Sequence, residues 1–245
     1  LGLLLYIVLD ITKIKDNLCF RLKHIILWLI IVIVLGSAFL SAIIVRHNTA
    51  PSYLIHDIIL QQESAIRFFL DGKNPYGVTY FGTPLEQWNY SATEINPALY
   101  HFVMQPFYLL FALPFYAISN SIFGFFDGRM PLLFLFFTLL VFADILTKDK
   151  DKKLLFLTML TFNPSLLGYT LEGRSDIFVF AFLFAAFYFL YKKNIFLSSV
   201  LMALSFTIKQ SVWPILPFYF AFIYFKNKNI SRTLRDLAPF VITFI

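Results

Sequence analysis

The stretch HIILWLIIVIVLGSAFLSAIIV, residues 24–45, decides the fold. It contains no Asp, Glu, Lys or Arg. A run of roughly 20 apolar residues matches the hydrocarbon core of a bilayer, so the segment predicts a transmembrane helix. The rest of the 245-residue chain has the same character: 59% is hydrophobic, 14% is charged, and Phe alone supplies 32 residues. Soluble domains carry about a quarter charged residues. The expected fold class is therefore an all-α, polytopic membrane protein. A net charge of +6 does not point to nucleic acid here, because excess Lys and Arg in a membrane protein report which side faces the cytoplasm. The lone Cys19 excludes an internal disulfide and a Cys-based metal site. Apolar runs at both ends of the chain, Leu1–Leu9 and Leu237–Ile245, are read as belonging to a longer multi-spanning protein.

Further apolar stretches fall at Pro97–Ile118, Met130–Leu146, Leu154–Leu171, Ile177–Tyr191, Ile195–Ile208 and Val212–Phe225. Basic clusters separate them at Lys13/Lys15/Arg21/Lys23, Lys148/Lys150/Lys152/Lys153, Lys192/Lys193 and Lys226/Lys228/Arg232/Arg235. Placing all four in the cytoplasm puts 14 of 20 basic residues inside, as the positive-inside rule prefers. That topology requires one stretch between residues 46 and 147 not to cross. Pro97–Ile118, interrupted by Pro106 and Pro114, is the better candidate and is expected to lie in or dip into the outer leaflet. If it crossed, the count would become 7 inside against 13 outside. Residues 46–129 then form one large non-cytoplasmic loop, and 130–245 a set of helices joined by short polar turns. Two of those turns, LEGRSD (171–176) and IKQSVWP (208–214), adjoin runs too short to span about 30 Å. Irregular backbone at that depth must line a cavity or be buried in protein, so Arg174, Asp176 and Lys209 are expected around a cavity.

Within the first loop, HDIILQQESAIRFFLDG (56–72) has helical periodicity and ends at Gly72, a C-terminal cap signal. Asp57, Gln61 and Ser64 make a polar stripe, which predicts a helix lying along the membrane surface with that stripe toward water or a cavity. Glu63 and Arg67, four apart, are read as a surface ion pair. An N-cap role and a catalytic role are both open for Asp57.

In order along the chain, several motifs resemble the GT-C superfamily of membrane glycosyltransferases, nearest to its polyprenyl-phosphate-mannose-dependent and glycosylphosphatidylinositol-mannosyltransferase-like branches. They are His56-Asp57 early in the loop, Ala65 followed by FFLDGKNPY (68–76), NPALY (96–100), GRMPLL (128–133), FNPSLLGYTLEGRSD (162–176) and IKQSVWPILP (208–217). The resemblance covers about residues 24–225. Many relatives carry paired acids where this chain has His56 before Asp57.

The resemblance implies a GT-C-like transmembrane bundle with interfacial helices in the first loop. It implies an integral, multi-pass membrane enzyme, in the plasma membrane or endoplasmic reticulum according to source. The enzyme would move a sugar, mannose in the nearest branches, from a polyprenyl phosphate to a lipid, glycan or protein acceptor. Asp57 stands at the proposed catalytic base. Lys209 with Gln210 is the first choice for the lipid phosphate and Arg174 the second, with Asp176 and Arg129 near them. Lys73, Asn74 and Tyr76 are offered as sugar or phosphate contacts. No cofactor is required, and no residue spacing marks a metal site, although a divalent cation is compatible with the chemistry. The competing reading is a transporter or lipid-carrier flippase with a polar cavity.

Overall fold

The computed structural model describes residues 2–12, 14–91 and 93–245. Leu1 of the opening apolar run and Lys13 of the first basic cluster lie outside the described residues. The described residues form α-helices and short 3-10 turns, without strands. The helices are α1 (Gly2–Ile11), α2 (Asp16–Asn48), α3 (Asp57–Leu70), α4 (Pro106–Phe123), α5 (Arg129–Leu146), α6 (Lys150–Thr161), α7 (Pro164–Glu172), α8 (Asp176–Tyr191), α9 (Ile195–Phe206), α10 (Leu216–Asn227) and α11 (Ile230–Phe244). By length and composition α2, α4 and α5 could each cross a membrane, and so could α6 and α7 taken as one bent span.

Local sequence explains the boundaries. Asn163, Asn194 and Asn229 each accept a hydrogen bond from a backbone amide three residues on and so open α7, α9 and α11. Pro164 keeps Asn163 extended, which splits the expected Leu154–Leu171 span into α6 and α7 with a 45° bend. The Val212–Phe225 stretch is also divided: Gln210–Ile215 is a 3-10 turn containing Pro214, and α10 starts at Leu216. At the end of α3, Gly72 (φ +75°) is left-handed, the Lys73 amide donates to the Phe68 carbonyl and the Gly72 amide to Phe69. This crossed pair of bonds caps the helix and begins the turn DGKNPYG.

The bundle has two chemically different ends. At one, His24 of α2 lies 2.6 Å from Asp144 of α5, Lys153 is 3.7 Å from the same carboxylate, and Lys150 meets Asn17. Phe142 near the end of α5 packs on Tyr188 and Phe189 near the end of α8, bringing Lys192 and Lys193 to this end as well. Ser199 near the start of α9 holds the Asp236 carbonyl, which adds the cluster around Arg235. At the other end, Arg46 of α2 meets Asp127 before α5, the His56 amide donates to the Glu172 carbonyl at 2.7 Å, and the Gln105 amide donates to Ile208.

Helix α4 has both of its termini at this second end. Before its first turn Gln105 is bonded to Ile208, and after its last turn Phe125 stacks on His47 at 4.0 Å. In between, Phe107 and Phe111 pack on Phe178 and Phe182, and Phe115 on Phe134, all from the first two turns of α8 and α5. It therefore lies across the end of the bundle. Impermeant maleimide should accordingly reach Ser91→Cys and Ser121→Cys from one side of sealed membranes and Asp151→Cys only from the other, in a Cys19→Ser background. Labelling of Ser121→Cys from the Asp151 side would show that α4 crosses.

Candidate functional site

The floor of the site is a buried quartet of charges. Arg46 holds Glu63 through two contacts of 2.8 Å and Asp127 at 2.9 Å, and its Nε donates to the Pro51 carbonyl. Arg129 grips Asp127 with its own amide, Nε and Nη2, and donates further to the Ala42 and Leu171 carbonyls. The Gly128 amide donates to Glu63 at 3.0 Å. Two cations and two anions cancel, and all four side chains are buried. Burial pushes the Glu63 carboxyl up against the pull of Arg46. For Asp127 burial acts the same way, but Arg129 and Arg46 outweigh it and hold the carboxyl below its ordinary value.

This arrangement corrects three expectations. Glu63 pairs with Arg46 and not with the exposed Arg67. Arg129, expected near the lipid phosphate, lines the trough but is 1% exposed and held by Asp127 and two carbonyls, so it acts first as a structural bracket. Helix α3 does not present a polar face to water: Asp57 and Ile59–Ile66 are all buried. Its polar stripe turns to the loop, where Gln61 donates to the Ala98 and His101 carbonyls and accepts from the Val103 amide.

Close backbone approach seats α3. A Cβ on Gly173 (φ +87°) would come within 2.4 Å of Ile59, and one on Gly128 within 2.8 Å of Gln62. The chain therefore passes α3 at two points where only glycine fits.

At the N-terminus of α3, Asp57 is 4% exposed, accepts side-chain hydrogen bonds from the Tyr90 hydroxyl at 2.9 Å and the Asn96 amide at 3.0 Å, and lies 2.6 Å from His56 Nδ1. The Ile58 amide also approaches His56 Nδ1, at 3.4 Å. Nδ1 thus faces both the Ile58 amide and the Asp57 carboxylate, and the position of the ring proton decides which of them it bonds. Burial opposes ionisation of Asp57, but the bonds from His56, Asn96 and Tyr90 outweigh it and hold the carboxyl below the usual range. Burial and the neighbouring carboxylate push the Tyr90 phenol up to about 12.

Two cavities meet beside this cluster. One, of about 550 Å³, is a mainly apolar trough walled by Ala38, Ala42, Leu54, Ile55 and Leu171, with Trp88 above it. The other, of about 400 Å³, is the more polar of the two and is lined by Asp176, Lys209, Gln210 and Ser211 together with Ile58, Val103 and Met104. His56 and Arg174 line both. Arg174 Nε donates to Glu172 at 2.8 Å while its guanidinium lies 4.5 Å over the Tyr169 ring. Lys209 donates to Asp176 at 3.2 Å across the polar cavity. These half-exposed pairs are weakly held and free to exchange partners for a ligand.

Four of the expected residues, Arg174, Asp176, Lys209 and Gln210, thus share one cavity. Asp57 lies directly behind His56 and lines neither cavity itself. Lys73, Asn74 and Tyr76 also line neither. The Lys73 ammonium sits over the Phe68 ring, Asn74 caps the Tyr76 amide, and the Tyr76 hydroxyl donates to the Met104 carbonyl. The heptapeptide ends α3 and braces the wall. Sequence reasoning missed the Arg46–Glu63–Asp127 contacts, Asn96, Glu172 and the position of His56. The available signals were an Asp two residues before an Arg at 127–129 and a His joined to the expected acid. No three His, Cys, Asp or Glu side chains gather as metal ligands among the described residues. Neither a family model, nor a curated protein, nor a solved structure matches this chain.

Removing one member of the quartet should be costly, because a buried pair broken on one side strands a charge. Asp127→Asn is expected to lower unfolding free energy by about 3–5 kcal/mol. The check is a denaturant titration in detergent micelles, and a loss under about 1 kcal/mol would contradict the burial assigned to the quartet.

Proposed function

We propose that the chain is a membrane glycosyltransferase of the GT-C type, transferring a sugar from a polyprenyl-phosphate donor to a lipid, glycan or protein hydroxyl. The observation that carries this reading is the junction of an apolar trough with a polar, cation-bearing cavity. A polyisoprenoid phosphate sugar has the same division: a hydrocarbon chain, an anionic link and a polar ring. Arg174 stands at the boundary where the phosphate would lie, and Lys209 stands across the polar cavity.

The chemistry asks little more of the protein. The acceptor oxygen bonds to the anomeric carbon, the bond from that carbon to the phosphate oxygen breaks, and the polyprenyl phosphate departs with the electron pair. Charge growing on it is met by Arg174 and Lys209, as cations placed for a developing anion should do. The acceptor proton needs a base within hydrogen-bond reach. By the positive-inside rule the cavities would open on the non-cytoplasmic face, since the basic clusters gather at the other end.

The buried charges favour this reading over a translocation pathway. Among the described residues they are Arg46, Asp57, Glu63, Asp127 and Arg129, all at the cavity end. Between the ends, α5 and α8 bury Leu135, Leu139, Leu140, Ala185 and Ala186.

In membranes holding the chain and radiolabelled polyprenyl-phosphate mannose, Lys209→Met and Arg174→Met should each raise the half-saturating donor concentration about 10-fold or more, the cost of one charge-assisted hydrogen bond. Unchanged donor dependence in both variants would contradict the assignment of this cavity to the donor.

A further inference from the structure

His56 occupies the position that a base for the proposed reaction needs. Its ring lines both cavities, whereas Asp57 lines neither. Asp57 is enclosed, and three of its roughly four acceptor positions are taken by His56, Tyr90 and Asn96. An acceptor hydroxyl therefore has little of Asp57 left to approach. His56 Nδ1 lies 2.6 Å from the Asp57 carboxylate, and Nε2 has no hydrogen-bond partner among the described residues. With its proton on Nδ1, the nitrogen facing the carboxylate, the imidazole keeps a lone pair on Nε2, and this tautomer is the one assigned to His56. The same carboxylate stabilises the imidazolium once Nε2 takes a proton.

Resting on the transferase reading, we infer that His56 is the catalytic base and Asp57 the residue that positions it. Nε2 removes the proton of the acceptor hydroxyl as its oxygen bonds to the anomeric carbon and the polyprenyl phosphate leaves. The imidazolium then returns the proton to solvent through the polar cavity. Tyr90 and Asn96 fix the carboxylate from the loop, and Trp88 limits the ring from above at 5.6 Å.

The test measures release of labelled mannose from polyprenyl-phosphate mannose to membrane lipids or to water by the full chain in membranes. His56→Ala should lower turnover about 10²- to 10⁴-fold with donor dependence preserved. His56→Asn, whose amide can still donate to Asp57, should show the same loss in a chain that keeps its local bonding. Added imidazole should restore part of the turnover of His56→Ala, in proportion to its neutral form. Near wild-type turnover in His56→Ala, or no restoration by imidazole at any pH, overturns the role of His56 and leaves the transferase reading standing. No release by the wild-type chain overturns both.

Discussion

Four charged side chains, Arg46, Glu63, Asp127 and Arg129, are locked together where five parts of the chain meet. Taking such groups out of water is expensive, and a buried ion pair often gives little net stability over a well-packed apolar substitute. What the quartet imposes is position. Its contacts reach the carbonyls of Ala42, Pro51 and Leu171 and the amide of Gly128, so α2, α3, α5 and α7 are fixed to one another by directional bonds. A slide of any one of them would strand a charge among apolar side chains, a penalty that packing of Leu and Phe alone would not exact.

The site inherits its geometry from this lock. With α3 pinned in its middle by Glu63, its first residue is brought against the end of α7, and the Glu172 carbonyl left over at that helix terminus accepts from His56. Gly173 and Gly128 permit the approach, since a side chain at either point would strike Ile59 or Gln62. The short helices then place their connecting turns beside α3: 172–176 carries Arg174 and Asp176, and 208–211 carries Lys209 and Gln210. The apolar trough and the polar cavity are the two spaces left on either side of His56.

How much of this was legible depended on the range of the interaction. Features set by neighbours in sequence were readable: the long apolar α2, the stop at Gly72, and the polar turns that interrupt short apolar helices. Pro106 and Pro114 pointed to an element unlike its neighbours, and α4 lies across the bundle end with both termini at that end. Features set by distant partners were not readable. Glu63 looked like the mate of Arg67, four residues away, because helical spacing cannot reveal an arginine at the end of the preceding helix. Arg129 looked available because nothing local says that Asp127 and two carbonyls consume its donors. Lys73, Asn74 and Tyr76 belong to a turn signal, which states that the chain reverses and not which cavity it faces. His56 was overshadowed by the acid beside it, since the division of a dyad between an inner carboxylate and an outer imidazole appears only in three dimensions.

The central claim is that one amphiphilic donor occupies both cavities at once, with its phosphate beside Arg174. A cryo-electron microscopy map of the chain bound to a non-hydrolysable polyprenyl-phosphate sugar tests it most directly. The account predicts the isoprenoid chain in the trough against Ala38 and Ala42, the phosphate between Arg174 and Lys209, and the sugar next to His56. Density for the lipid on another face of the bundle, with these two cavities empty, would contradict it.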